Sequence, residues 1–132
     1  MRVTVDTNFL VSSTQWDYSV GHRLLRKLIE KDVEIFTTRE ILEEFSKVLR
    51  GDFKYSFEEI EKIIEKIFPF LTLVEIQGKI NVIQDDPADD KIIECAIASS
   101  SDFIITYDKH LLKLKEFGYI KIIKPEEFIK EI

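Results

Sequence analysis

Short apolar runs rich in β-branched residues alternate along this chain with stretches whose apolar residues recur every three or four positions. Strands separated by helices pair in parallel, and a parallel sheet needs helices on both faces. The strands expected are Val3–Val5, Val33–Thr37, Leu71–Ile76, Phe103–Thr106 and Ile120–Ile123. They are short and almost purely apolar, as strands buried on both sides are. Helical spacing marks His22–Lys31, Arg39–Arg50, Ser56–Ile67, Pro87–Ser99 and Lys109–Phe117, the last ended by Gly118. Ser56 and Glu59 form a capping box, and Pro125 opens a closing helix. The expected architecture is α/β in three layers, α/β/α, around a central, mostly parallel five-stranded sheet, with residues 1–132 forming a single domain.

In such a sheet, ligands bind beyond the carboxyl ends of the strands. Two aspartates stand there: Asp6 in Val5-Asp6-Thr7-Asn8, and Asp108 in Ile105-Thr106-Tyr107-Asp108. Asp85, Asp86, Asp89 and Asp90 crowd the start of the helix that leads into the fourth strand. Carboxylates gathered in one cleft repel one another, and a divalent cation removes that cost. Hard oxygen donors suit Mg²⁺ or Mn²⁺.

On the second helix, Ile41, Leu42, Phe45, Val48 and Leu49 form one apolar stripe. Glu43 falls opposite it. Glu44 falls on its edge, about 40° from Val48 at the helical repeat, where an acid needs a partner. Glu44 is therefore the better candidate of the two. Asp86-Pro87 reads as N-cap and N1, with Asp89 at N3, so capping explains both acids. Capping does not explain Asp90, and the pattern alone leaves Asp89 and Asp90 both open as the third acid.

Four segments now carry a resemblance. Asp6-Thr7-Asn8 resembles the opening of PIN domains, and Thr38-Arg39-Glu40-Ile41-Leu42-Glu43-Glu44-Phe45 resembles the helix with that family's second acid. Asp86-Pro87-Ala88-Asp89-Asp90-Lys91 is similar to its third motif, and Ser101 through Leu112 to its fourth. The likeness runs in order from Met1 to about Pro125 and is nearest the VapC-like toxin branch. It implies a Rossmann-like PIN fold and metal-dependent hydrolysis of RNA. Asp6, Glu44, Asp90 and Asp108 would be the metal-binding, catalytic acids, and Asn8 and Thr106 would support them or touch substrate. It further implies Mg²⁺ or Mn²⁺ as cofactor, a homodimer or higher homo-oligomer, and a small antitoxin that offers a basic group to the acidic cleft.

Composition fits this reading. The net charge of −6, from 25 acids and 19 bases, counts against a plain nucleic-acid-binding module. It does not count against a metal nuclease, whose cations bridge to phosphate. With 45% apolar and 33% charged residues, the chain can build a core. No apolar run could cross a bilayer and no secretory leader is evident. The single Cys95 fits a reducing compartment, so a cytoplasmic location is expected.

Competing chemistries fare worse. A haloacid-dehalogenase-type phosphatase needs an aspartate where Asn8 stands. A response regulator needs an acid after the third strand, where Ile76-Gln77-Gly78 has none. A degenerate binding module would have lost acids, and all four are present. A housekeeping nuclease is the nearest alternative to a toxin. Asp102 reads as a turn or cap residue, and His22 and His110 as helix-surface residues. Arg39, Lys91 and Lys109 are solvated unless they touch phosphate. Trp16, Tyr18 and Phe9, near the first loop, either stack on bases or pack in the core or an interface, and Phe57 is an interface or core aromatic.

Overall fold

The computed structural model of the chain describes residues 1–77, the backbone of 87–89, and residues 90–132. The elements run β1 (Arg2–Val5), α1 (Thr7–Gln15), α2 (Val20–Glu30), β2 (Glu34–Thr37), α3 (Arg39–Gly51) and α4 (Phe57–Ile67). A short 3₁₀ turn, Phe68–Phe70, leads to β3 (Leu71–Leu73). Then come α5 (Pro87–Ala98), β4 (Phe103–Ile105), α6 (Lys109–Leu114), β5 (Glu116–Phe117), β6 (Ile120–Ile123) and α7 (Pro125–Phe128). The sheet order is β3-β2-β1-β4-β6-β5. Every pairing is parallel except β5 with β6. The topological switch falls at β1, with β2 on one side and β4 on the other.

Strand register sorts the helices into layers. Val3 pairs with Phe103 and Thr4 with Ile104, so successive side chains leave the sheet on opposite faces. On one face the Thr4 hydroxyl meets Ser101 at 2.8 Å and Cys95 at the end of α5. On the other face the Phe103 ring meets Phe128 of α7 edge-on at 4.8 Å. Phe9, Phe45, Leu24, Ile93 and Ile104 are fully buried between the layers. No helix among the described residues is long and apolar enough to cross a membrane.

Three local differences from the sequence reading have physical causes. First, the sheet has six strands rather than five. Lys115 adopts a left-handed backbone (φ 65°) that stops α6 at Leu114. Gly118 (φ 60°) then turns Glu116–Phe117 back onto β6 as a two-residue antiparallel strand.

Second, α1 was not expected. Its sequence, TNFLVSSTQ, is poor in helix formers. Asp6 caps its start, and Phe9, Leu10 and Val11 bury one side. Ser12, Ser13 and Thr14 turn their hydroxyls back onto the carbonyls of Phe9 and Leu10.

Third, β3 ends at Leu73 rather than Ile76. Its partner strand stops at Thr37 because Thr38 must leave the ladder to cap α3, and the bond from Val74 N–H to Thr37 O (2.9 Å) is the last.

The capping box of Ser56 and Glu59 and the Pro125 helix form as expected. The N-cap reading of Asp86 lies outside the described residues.

Candidate active site

β1 delivers Asp6 to the carboxyl edge of the sheet, where its side chain does two jobs. Oδ1 accepts the Phe9 N–H at 2.9 Å and so caps α1. Oδ2 accepts the hydroxyl of Thr106, which follows β4. The residue is only 6% exposed. Burial, and secondarily the charges of Asp108 and Glu44, push its carboxyl up to about 6, against the lowering effect of the two hydrogen bonds. A buried carboxylate beside two more acids is under electrostatic stress that a cation would relieve.

Thr106 links two of the acids. Its fully buried hydroxyl donates to Asp6 and accepts the Asp108 N–H at 2.9 Å. Asp108 caps α6 through Oδ1, which accepts from His110 N (2.8 Å) and Leu111 N (3.2 Å). The His110 ring stands 3.8 Å from that same oxygen, on the helix surface. Tyr107 turns the other way and donates its hydroxyl to Glu126 of α7 at 2.5 Å.

Glu44 and Glu43 are both exposed, so burial does not separate them. Electrostatics does. The charge of Glu44 acts on Asp6, whereas Glu43 pairs with Arg39 at 3.3 Å on the surface. α3 is tied to the site by Thr7, whose buried hydroxyl donates to the Ile41 carbonyl (3.5 Å), one turn before Glu44.

Asp90 lies in the first turn of α5 and is 5% exposed. The far end of that helix is fastened at the amino edge of the sheet, where the Arg2 guanidinium donates to the Ser99 carbonyl at 3.0 Å. Running back from there at ~1.5 Å per residue lifts Asp90 by roughly 12 Å, about the length of a four-residue strand. The start of α5, with Asp90, is thus the end remote from Arg2 and Ser99. The side chain of Asp89, the competing third acid, lies outside the described residues.

Asn8 is exposed, and its side chain bonds to no described residue. Asp102 is structural: its carboxylate accepts the Arg2 N–H at 2.9 Å. His22 is half-buried, with Nδ1 3.0 Å from the Ser13 carbonyl. Phe9 is core, while Trp16, Tyr18 and Phe57 are exposed.

Among the described residues, no three acids, histidines or cysteines share one metal-sized site. Asp6, Glu44 and Asp108 form an electrostatic group rather than a preformed coordination shell. Their chemistry nonetheless fits a hard divalent ion: every candidate donor is a carboxylate oxygen, and burial holds the Asp6 carboxyl above its ordinary ionisation. Sequence reasoning singled out these acids as candidates and missed the capping by Asp6 and the Thr7–Ile41 tie. The Asp-x-x pattern ahead of Phe9 was a visible N-cap signal for the first.

The PIN domain family model matches residues 2–110, most of the chain. No curated protein sequence matches significantly. Among solved structures, the fold is similar to a chain in the crystal structure of VapBC2 from Rickettsia felis bound to a DNA fragment from their promoter. The TM-score is 0.63 at 14% identity, over 94% of this chain and 98% of that one. With a PIN-domain match across most of its length, laid on a parallel sheet, this chain belongs to the PIN-domain family.

Proposed function

We propose that this chain is a metal-dependent endoribonuclease, and that it acts as the toxin of a toxin–antitoxin pair. The observation that carries the nuclease reading is Asp6: buried at the carboxyl edge, bridged through Thr106 to Asp108, and stressed by the charges of Asp108 and Glu44. Asp6, Glu44, Asp90 and Asp108 are the residues that would hold one or two Mg²⁺ or Mn²⁺ ions. Such an ion, when bound, lowers the pKa of a water and stabilises charge on the leaving oxygen of a phosphodiester.

The chain's own residues orient the site. Thr106 fixes the rotamer of Asp6 and the backbone of Asp108 with one hydroxyl. Asp6 and Asp108 cap the N-termini of α1 and α6, whose dipoles favour negative charge there. Asn8 is the residue assigned to substrate in this reading, and its exposure in the first turn of α1 supports that.

The toxin reading draws support from the likeness to the VapBC2 chain. In that reading a small antitoxin inserts an Arg or Lys among the carboxylates in the cytoplasm. The deciding assay is cleavage of defined RNAs with Mg²⁺ or Mn²⁺, beside Asp6→Asn. Cleavage by wild type alone supports the nuclease; no cleavage with either metal overturns it. Expression without a partner gene then separates toxin from housekeeping nuclease. Growth arrest relieved by Asp6→Asn supports the toxin, and normal growth with confirmed cleavage removes it.

A further inference from the structure

The chain is acidic overall, at a net charge of −6, but that charge is unevenly spread. α4 carries four acids against two bases, and α7 two acids and no base. α2, VGHRLLRKLIE, reverses the balance with three bases and one acid. Arg23, Arg26 and Lys27 share its outer face, opposite the buried Leu24, Leu25 and Leu28. With Glu30 and Ile129 they line an open groove of about 320 Å³ beside the end of α7.

Arg23 and Arg26 are exposed, and Lys27 is half-buried. Arg23 and Lys27 stand one turn apart, a like-charge pair that costs helix stability, with Arg26 beside them. Lys27 is pinned in the groove by its Nζ, which donates to the Ile129 carbonyl at 3.3 Å. Glu30 is not within ion-pairing distance of any of the three, and none of them meets another acid among the described residues. Three positive charges are thus held side by side at a cost.

This face is tied to the helix that starts at Asp6. Ser19, the N-cap of α2, donates its hydroxyl to the Ser12 carbonyl at 3.0 Å, and Gly21, lacking a side chain, lets α2 close on Ser12. Ser12 lies six residues along α1 from Asp6, roughly 9 Å at the helical rise. A polymer leaving the acidic edge reaches the basic face within a short length of chain.

We infer that Arg23, Arg26 and Lys27 form an anchoring surface for the RNA backbone, gripping phosphates outside the acidic cleft. The inference rests on the nuclease reading in taking RNA as the polyanion. Carboxylates at the sheet edge repel phosphate, so a substrate worked on there needs positive charge elsewhere on the chain. Two guanidinium forks and an ammonium suit phosphate oxygens, and contacts of this kind hold a strand without reading its bases.

The test measures binding of a labelled single-stranded RNA to the purified full chain by fluorescence anisotropy, in EDTA, from low to high salt. Arg23→Gln with Arg26→Gln should weaken binding alike for RNAs of different sequence. It should also flatten the slope of log affinity against log salt by about 1.4, at about 0.7 for each lost phosphate contact. Arg23→Lys with Arg26→Lys should restore the slope, which separates charge from helix structure. Lys62→Gln with Lys66→Gln removes the same charge from exposed positions on α4 and should bind as wild type does. Wild type that binds no RNA, an unchanged slope in the Arg23/Arg26 variant, or equal weakening in the α4 control overturns the inference. Tighter binding of a polyglutamate of matched charge assigns the face to an acidic protein and overturns it as well. Cleavage with Mg²⁺ or Mn²⁺ is read separately, so binding that behaves as expected without any cleavage fails the nuclease reading alone.

Discussion

Replacing Asp6 with asparagine should stabilise the metal-free protein, by an amount that grows with pH. The Asp6 carboxyl rises from 3.8 to about 6 on folding, chiefly because burial penalises its charged form. The native state therefore holds a proton through a window in which the unfolded chain has lost it. Stability falls as pH rises through about 4 to 6, and the full penalty persists above that window. At ~1.4 kcal/mol per pH unit, the cost at pH 8 is about 3 kcal/mol. At pH 4.5, where the native group is still protonated, linkage leaves about 1 kcal/mol.

Asparagine keeps a neutral side chain whose oxygen can still take the Phe9 N–H, and the Thr106 hydroxyl can reverse to accept its amide. Denaturant unfolding in EDTA at several pH values is the assay. Asp6→Asn should exceed wild type by about 1 kcal/mol at pH 4.5 and about 3 kcal/mol at pH 8. Near the midpoint of thermal unfolding, the larger figure corresponds to roughly 10 °C for a chain of this size. Under the proposed metal site, added Mg²⁺ should narrow the gap by binding native wild type and not the variant. A pH-independent difference, or a less stable variant at pH 8, would refute the reasoning that burial holds the carboxyl up.

Glu43→Ala should leave cleavage unchanged, since it loses only an exposed pair with Arg39 worth about 0–1 kcal/mol. Glu44→Ala should lower cleavage and also lower the Asp6 pKa by removing a like charge, which an NMR titration of the carboxyl would read. Thr106→Val should cost about 1–3 kcal/mol in stability, because it strands the Asp108 N–H and strips a donor from Asp6. Cleavage should fall with it, and unchanged rates would show that the bridge is purely structural. Asp108→Ala should lose the α6 cap, at about 1 kcal/mol, whereas Asp108→Asn should keep the cap. Equal loss of cleavage in both would assign the role to the charge rather than to helix start.

The parallel sheet was legible in the sequence because buried strands and helices leave different periods, and tertiary packing here agrees with local preference. Where the two disagree, the sequence misleads. α1 contains Thr7, Val11, Ser12, Ser13 and Thr14, which favour other conformations, and only the cap at Asp6 and burial of Phe9 and Leu10 hold it helical. β5 follows from a left-handed Lys115, which nothing in a Lys-rich helix pattern announces. At the site, the rule that ligands sit beyond strand ends points to Asp6 and Asp108, and helical phase ranks Glu44 ahead of Glu43. Yet the phase argument expected partial burial of Glu44, and that side chain is exposed. What distinguishes it is distance to another charge, a property of how α3 sits against α1 through Thr7 and Ile41. Periodicity within one helix cannot carry that information.

The N-caps help the fold tolerate acids at the carboxyl edge of the sheet. Asp6 and Asp108 each begin a helix, so each gives one oxygen to backbone N–H groups that would otherwise be unpaired. A helix N-terminus favours negative charge by about 0.3–1 kcal/mol, more where partly buried. That offsets part of the desolvation at Asp6, which would otherwise lie still higher than about 6. The remaining oxygens are treated unequally. Asp6 Oδ2 is held by Thr106, while both N–H bonds to Asp108 fall on Oδ1 and leave Oδ2 uncommitted among the described residues. The capping geometry thus fixes where each carboxylate stands and which of its oxygens is spent on the backbone. A cation arriving at this edge would compete with one hydroxyl at Asp6 and with no backbone group at the outer oxygen of Asp108.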